Sequence, residues 1–214
     1  MNTPSRGDSY ISLYTTPPMV RIIDDPLSKK NREQPSSPPL STLYRSSMAR
    51  ILVAYATKHG STTGIAEAIG KELTTAGQNV EVKELKNVQS PAGYDAVIIG
   101  GPIYMGKVMA DVKKFVDRHQ EKLAALPVAT FVVGLSPASK DEKQIGDAKK
   151  ALADAVAPLQ PVASTLFAGN LDPKKLGFME RTMIGMVKSP TGDFRDWEAI
   201  AAWAKGLPSL LVKG

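Results

Sequence analysis

Ile51-Leu52-Val53-Ala54-Tyr55-Ala56-Thr57-Lys58-His59-Gly60-Ser61-Thr62 is the stretch that decides the fold. Its first half is an unbroken apolar run of strand length, the form taken by a parallel strand covered on both faces. Its second half is a hydroxyl-rich turn leading into a helix over Thr62 to Ala76, where Ile65, Ile69 and Leu73 fall at helical spacing and Gly77 supplies a left-handed stop. The alternation continues outward. Asn79 to Leu85 predicts an edge strand with one wet side, and Asp95 to Gly100 a second buried strand. Val108, Val112, Phe115, Val116 and Leu123 predict a helix closed by Pro127, and Val128 to Val133 a third buried strand. Lys140 to Val156 reads as a helix with Ile145, Ala148, Leu152 and Val156 on one face, and Val162 to Phe167 as the fifth strand. Trp197, Ile200, Ala201, Trp203 and Ala204 give the closing helix. Short links between strand and helix force right-handed crossovers, so residues 49–214 are expected to form one α/β domain. Its five-stranded, doubly wound parallel sheet carries helices on both faces.

The chain has 214 residues, 43% of them hydrophobic and 22% charged, which is the composition of a globular protein with a core to bury. Zero cysteines exclude disulfides, thiolate metal sites and cysteine nucleophiles. Only His59 and His119 are present, so a multi-histidine metal centre cannot be assembled; a carboxylate-only site is the alternative left, and no metal is expected. The net charge of +6 favours anionic partners without choosing among them, and no nucleic acid is expected. Residues 1–48 hold seven of the 16 prolines and much serine and threonine, with no sustained period, and read as a disordered tail. In the alternative reading Met48 is the start and the upstream stretch is a leader. No signal-peptide run and no segment of about 18 continuous apolar residues occurs, so the expected location is cytoplasmic, with peripheral contact at the inner face of a membrane as a variant.

In open sheets of this kind ligands sit beyond the carboxyl ends of the strands, so the loops after Ala56, Gly100 and Val133 carry the chemistry. In Thr57-Lys58-His59-Gly60-Ser61-Thr62 the unpaired N–H groups of a helix start and the positive end of its dipole favour an anion such as a phosphate; the alternative is an ordinary N-cap with nothing bound. No G-x-x-x-x-G-K-[ST] and no G-x-G-x-x-G follows a strand, which disfavours P-loop and dinucleotide sites. The second loop, Gly100 to Lys107, combines Gly101, Pro102, Ile103, Tyr104, Met105 and Gly106. It suits a flat heteroaromatic ring with Tyr104 against one face, or alternatively a glycine-rich surface turn. The third, Gly134-Leu135-Ser136-Pro137, is too generic to weigh separately.

Taken together, the three loops resemble those of the flavodoxin family. Its phosphate loop, T-x-x-G-x-T, is matched by Thr57, Gly60 and Thr62, whereas His59 stands where many members carry a hydroxyl. The resemblance implies strand order 2-1-3-4-5 and flavin mononucleotide (FMN) as cofactor. It places the phosphate on Thr57 to Thr62, Lys58 included, and the ring against Gly101 to Gly106 and Gly134, Leu135 and Ser136. Met183 to Lys188, followed by Gly192-Asp193-Phe194-Arg195-Asp196-Trp197, is similar to the corresponding region of the menaquinone-dependent protoporphyrinogen IX dehydrogenase family.

Between the fifth strand and the closing helix, Gly169 to Pro190 forms an excursion with an apolar face. Leu176, Met179, Met183 and Met186 are spaced by three, four and three, and Phe178, Ile184 and Val187 widen the face. Either the face packs over the sheet edge as core, or it lines a substrate pocket beside the flavin or touches a membrane, with Lys107, Lys174, Lys175 and Arg181 available to substrate carboxylates. The family likeness implies an FMN-dependent oxidoreductase that oxidises a small-molecule donor, protoporphyrinogen IX, with a quinone acceptor, as in heme biosynthesis. No side chain stands out as an acid or base. The alternatives are a flavodoxin-type electron carrier, which the positive charge disfavours, and a non-catalytic module for another phosphate-bearing ligand.

Overall fold

The computed structural model describes residues 48–139, 141–186 and 191–212. The expected tail, apart from Met48, lies outside the described residues, as do Lys140, Val187 and Lys188. The opening strand β1 (Arg50–Tyr55) lies between β2 (Asn79–Glu84) and β3 (Ala96–Tyr104), paired parallel to both. Beyond β3 come β5 (Val128–Gly134) and β6 (Ala163–Ala168), again parallel. The sheet order is β2-β1-β3-β5-β6, which is the expected 2-1-3-4-5 once the short hairpin arm β4 (Lys107–Val108) is left out of the count.

Alternation within β1 divides the core. Ile51, Val53 and Tyr55 join Ile65, Ile69 and Leu73 of helix α1 (Ser61–Thr75), together with Ile200 and Ala204 of α6 (Trp197–Gly206) and Leu211 of α7 (Pro208–Leu211). Leu52 and Ala54 point the other way, toward Val112, Phe115, Val116 and Leu123 of α2 (Ala110–Ala124) and Leu152 and Val156 of α4 (Glu142–Val156). A one-turn helix, α3 (Ser136–Ser139), precedes α4. Two wholly buried strand faces need a cover on each side, so the continuous apolar runs and the helices on both faces have one cause.

Two elements differ from the sequence expectation. Val108 belongs to β4 and not to the following helix, and β3 does not stop at Gly100 but runs on to Tyr104. Past Gly100 the chain stays paired to β5 through Gly101↔Val132 and Pro102↔Val133. Pro102 lacks an N–H, but it lies beyond the last residue paired with β1, Gly100, so no ladder bond is lost there. The presumed loop is therefore a strand extension ending in a hairpin.

The excursion between β6 and α6 is closed at its neck. Strands β7 (Asn170–Leu171) and β8 (Gly192–Asp193) pair antiparallel, and the Phe194 N–H donates to the Gly169 carbonyl at 3.1 Å. The excursion carries helix α5 (Phe178–Met186).

Candidate functional site

Sheet order reverses between β1 and β3, so the loops after those strands diverge and leave a crevice at their carboxyl ends. At the end of β1 the Ala56 N–H is still held by the Gly100 carbonyl at 2.8 Å, and then the chain leaves the sheet. The Thr57 hydroxyl oxygen accepts the Gly60 N–H at 3.0 Å, which curls the loop. Gly60 takes φ +85° and ψ −6°, and a Cβ built on it would meet nothing within 4 Å. Backbone conformation and not crowding demands glycine there.

Gly60 is the N-cap of α1. Among the described residues no side chain caps this helix, and its first turn contains no acidic residue. Its leading N–H groups and the positive end of its dipole therefore face outward, which is an anion cradle in physical terms. Ser61 is tied to the neck of the excursion, its hydroxyl oxygen accepting the Asn170 N–H at 2.8 Å; a hydroxyl so engaged still has its own proton to donate. Thr62, in the first turn of α1, is buried.

Above the cradle stands a group of four side chains from three segments. Lys58 Nζ donates to Glu180 Oε1 of α5, and His59 Nε2 lies 3.3 Å from the same oxygen. Lys58 Nζ is also 5.4 Å from the centre of the Tyr104 ring, and the His59 ring meets that ring edge-on at 6.2 Å. The Lys58 hydrogen bond, followed by the Gly177 N–H, holds the Glu180 carboxyl at about 2, well below the ordinary carboxylate range. Burial, followed by the neighbouring Glu180 charge, pushes the Tyr104 phenol above its ordinary value.

Tyr104 reaches the cradle because β3 is long. It pairs with Lys107 across a two-residue turn in which Met105 (φ +49°) and Gly106 (φ +74°) both take positive φ, the requirement of a tight type I′ hairpin. A left-handed methionine, 84% exposed at the tip, is an unusual residue for that position. The glycines beneath have a different reason. A Cβ on Gly100 would fall 2.0 Å from Phe131 Cζ, one on Gly101 2.5 Å from Val112 Cγ2, and one on Gly134 2.4 Å from Ile103 Cγ2. Internal packing accounts for these three without a ligand. In the third loop Gly134 ends β5, while Leu135 and Ser136 follow half-buried at the start of α3.

Of the excursion residues singled out in the sequence, Leu176 is buried and Ile184 half-buried, whereas Phe178, Met179 and Met186 are 84%, 80% and 78% exposed. Leu176 therefore packs as core, whereas Phe178, Met179 and Met186 do not. Glu180 ties helix α5 to Lys58 and His59, and within the excursion Arg181 Nε donates to the Leu176 carbonyl at 2.9 Å. Met183 lies in the same helix. Lys107, Lys174, Lys175 and Arg181 are exposed. Sequence reasoning missed Asn170 and Glu180. The one local signal for Glu180 is its position three residues after Gly177, whose N–H it accepts at 3.0 Å in the manner of a capping box.

Among the described residues no helix is long and apolar enough to cross a membrane. Curated relatives include protoporphyrinogen IX dehydrogenase (quinone) of Escherichia coli strain K12, 27% identical over 179 residues, covering 77% of this chain and 97% of the relative. The protein of the same name from Leishmania major is 26% identical over 176 residues, covering 75% of each chain. Among solved structures, a Fusobacterium nucleatum flavodoxin bound to flavin mononucleotide aligns over 77% of this chain and 99% of its own, at 16% identity and a TM-score of 0.48. Residues 52–198, well over half of the chain, match the family model described as the flavodoxin domain, and the protein belongs to that family.

Proposed function

We propose that the chain is an FMN-dependent oxidoreductase, with protoporphyrinogen IX as donor and a quinone as acceptor. The observation that carries the cofactor is the uncapped α1 N-terminus with left-handed Gly60, open to solvent and free of acidic residues in its first turn. That donor set fits a phosphate ester: outward N–H groups, the hydroxyls of Thr57 and Ser61, and the Lys58 charge beside them. When bound, the flavin supplies the electron and hydride chemistry. The chain's own residues anchor and surround it. Thr57 to Thr62 hold the phosphate, while Gly101, Pro102, Ile103, Tyr104, Met105 and Gly106, with Gly134, Leu135 and Ser136, border the ring. Phe178, Met179 and Met186 offer apolar contact to a large donor, and Arg181 meets its carboxylates.

Membership in the flavodoxin domain family and the names of the E. coli and L. major relatives support this reading. A net charge of +6 speaks against an electron carrier that docks on basic partners.

The cofactor is tested by FMN titration of wild-type protein beside Gly60→Asn and Gly60→Asp. Both substitutes tolerate the left-handed backbone and have the same shape, so they differ in charge alone. Gly60→Asn is expected to keep its affinity within about tenfold, and Gly60→Asp to lose about 100-fold or more, since a like charge near 4 Å at a protein surface costs several kcal/mol. Equal affinities for the two variants would overturn the cradle. The donor is tested by following porphyrin fluorescence from protoporphyrinogen IX and a quinone; a yellow protein that leaves this pair unreacted would retain the cofactor reading and lose the substrate.

A further inference from the structure

Helix α5 reaches the cradle through a single carboxylate. Glu180 is separated from Lys58 and His59 by more than 100 residues of sequence, yet both side chains converge on its Oε1, while Oε2 accepts the Gly177 N–H. Lys58 and His59 are also the two side chains of the Thr57–Thr62 loop able to carry positive charge. One anionic group of the protein thus already claims what an incoming anion needs. Of the other α5 residues, Phe178, Met179, Arg181, Thr182 and Met186 are exposed and Ile184 is half-buried, so the Glu180 contact carries a share of the helix's docking. Lys58 Nζ, resting 5.4 Å from the Tyr104 ring centre, stays between the hairpin, the cradle and α5.

We propose that Glu180 is a latch: it fastens α5 across the mouth of the Thr57–Thr62 cradle, and the anion that enters the cradle competes for Lys58 and His59 and releases it. The inference rests on the cradle accepting the phosphate of FMN. Cofactor loading and mobility of the Met-bearing helix are then coupled, and a cofactor-free protein keeps α5 closed. Glu180 is a positioning residue, acting on the ligand only through Lys58 and His59.

The test uses the full chain, wild type and Glu180→Gln, with two probes. FMN affinity is measured by flavin fluorescence quenching. Tryptic cleavage after Lys174, Lys175 and Arg181 is timed by mass spectrometry with and without inorganic phosphate. Glu180→Gln is expected to bind FMN about three- to fivefold more tightly, the scale of a partly exposed ion pair, and Glu180→Asp, which restores the charge, to return toward wild type. Phosphate is expected to speed cleavage of wild type and to leave the already fast Glu180→Gln unchanged. A bond that merely stabilised α5 would not raise anion affinity when lost, so where wild type binds FMN, unchanged or weaker binding by Glu180→Gln overturns the latch, as does wild-type cleavage indifferent to phosphate. If phosphate opens α5 while FMN does not bind, the latch stands and the flavin reading falls. If FMN binds and Glu180→Gln changes nothing, the reverse holds.

Discussion

Helices α1 and α5 carry apolar residues at the same three- and four-residue spacings and treat them in opposite ways. In α1, Ile65, Ala66, Ile69 and Leu73 are buried against the sheet. In α5, Phe178, Met179 and Met186 stay in solvent, and the helix is tied to the loop after β1 through Glu180. What differs is the surface each helix meets. The first lies on an apolar strand face that must be covered. The second lies past the carboxyl ends of the strands, where the neighbouring loop offers Lys58 and His59. A helix turns toward whichever partner it has, and a charged loop selects its charged side.

The contrast can be broken or sharpened experimentally. The largest effect is expected from replacing the excursion between β7 and β8 with a short glycine turn that keeps the Asn170–Asp193 neck. FMN binding and thermal stability should survive while donor turnover disappears. Loss of the flavin together with the excursion would make α5 structural and erase its difference from α1.

Next in size is a matched pair of truncations followed by urea denaturation. Ile69→Ala, in a fully buried position, is expected to cost about 3 kcal/mol, whereas Met186→Ala should stay within roughly 0.5 kcal/mol. Comparable losses would mean that α5 packs as α1 does.

The smallest effect concerns α2, which buries a polar group. His119 sits at a non-helical position of that helix with its ring 4.8 Å from Phe115, and its Nε2 is buried without a partner among the described residues. Burial, followed by the charges of Arg118 and Lys122, holds its imidazole below the ordinary value. The neutral ring is therefore the folded form, so the stability it contributes is complete above about pH 6.5 and is lost as pH falls from there through the folded value. Denaturation curves between about pH 7.5 and pH 5 should slope for wild type and flatten for His119→Leu; parallel curves would remove His119 as the cause.

Much of the fold was legible in the sequence, because a strand buried on both faces has to be apolar throughout and the helices covering it have to be amphipathic. Ile51 to Tyr55, Val128 to Val133 and the Ile65, Ile69 and Leu73 stripe each carried that signature. The strand end at Tyr104 was hidden, since Gly100-Gly101-Pro102 reads as a turn and only pairing to Val132 and Val133 makes it a strand. For the candidate site, the loop at Gly60 was legible because an αL glycine before a helix is a local requirement. The Gly100, Gly101 and Gly134 signal was ambiguous, as a glycine needed by Phe131, Val112 or Ile103 is spelled like one that makes room for a ligand.

By itself, the sequence determined the order of strands and helices, the doubly wound class and the place of the first loop, since periodicity and turn chemistry act between residues near in the chain. Tertiary structure alone decided that Asn170 ties to Ser61, that Tyr104 meets His59, and that Glu180 draws α5 onto Lys58. Those contacts join segments from 45 to more than 100 residues apart, and spacing along a chain carries no information about which distant surface a side chain will face.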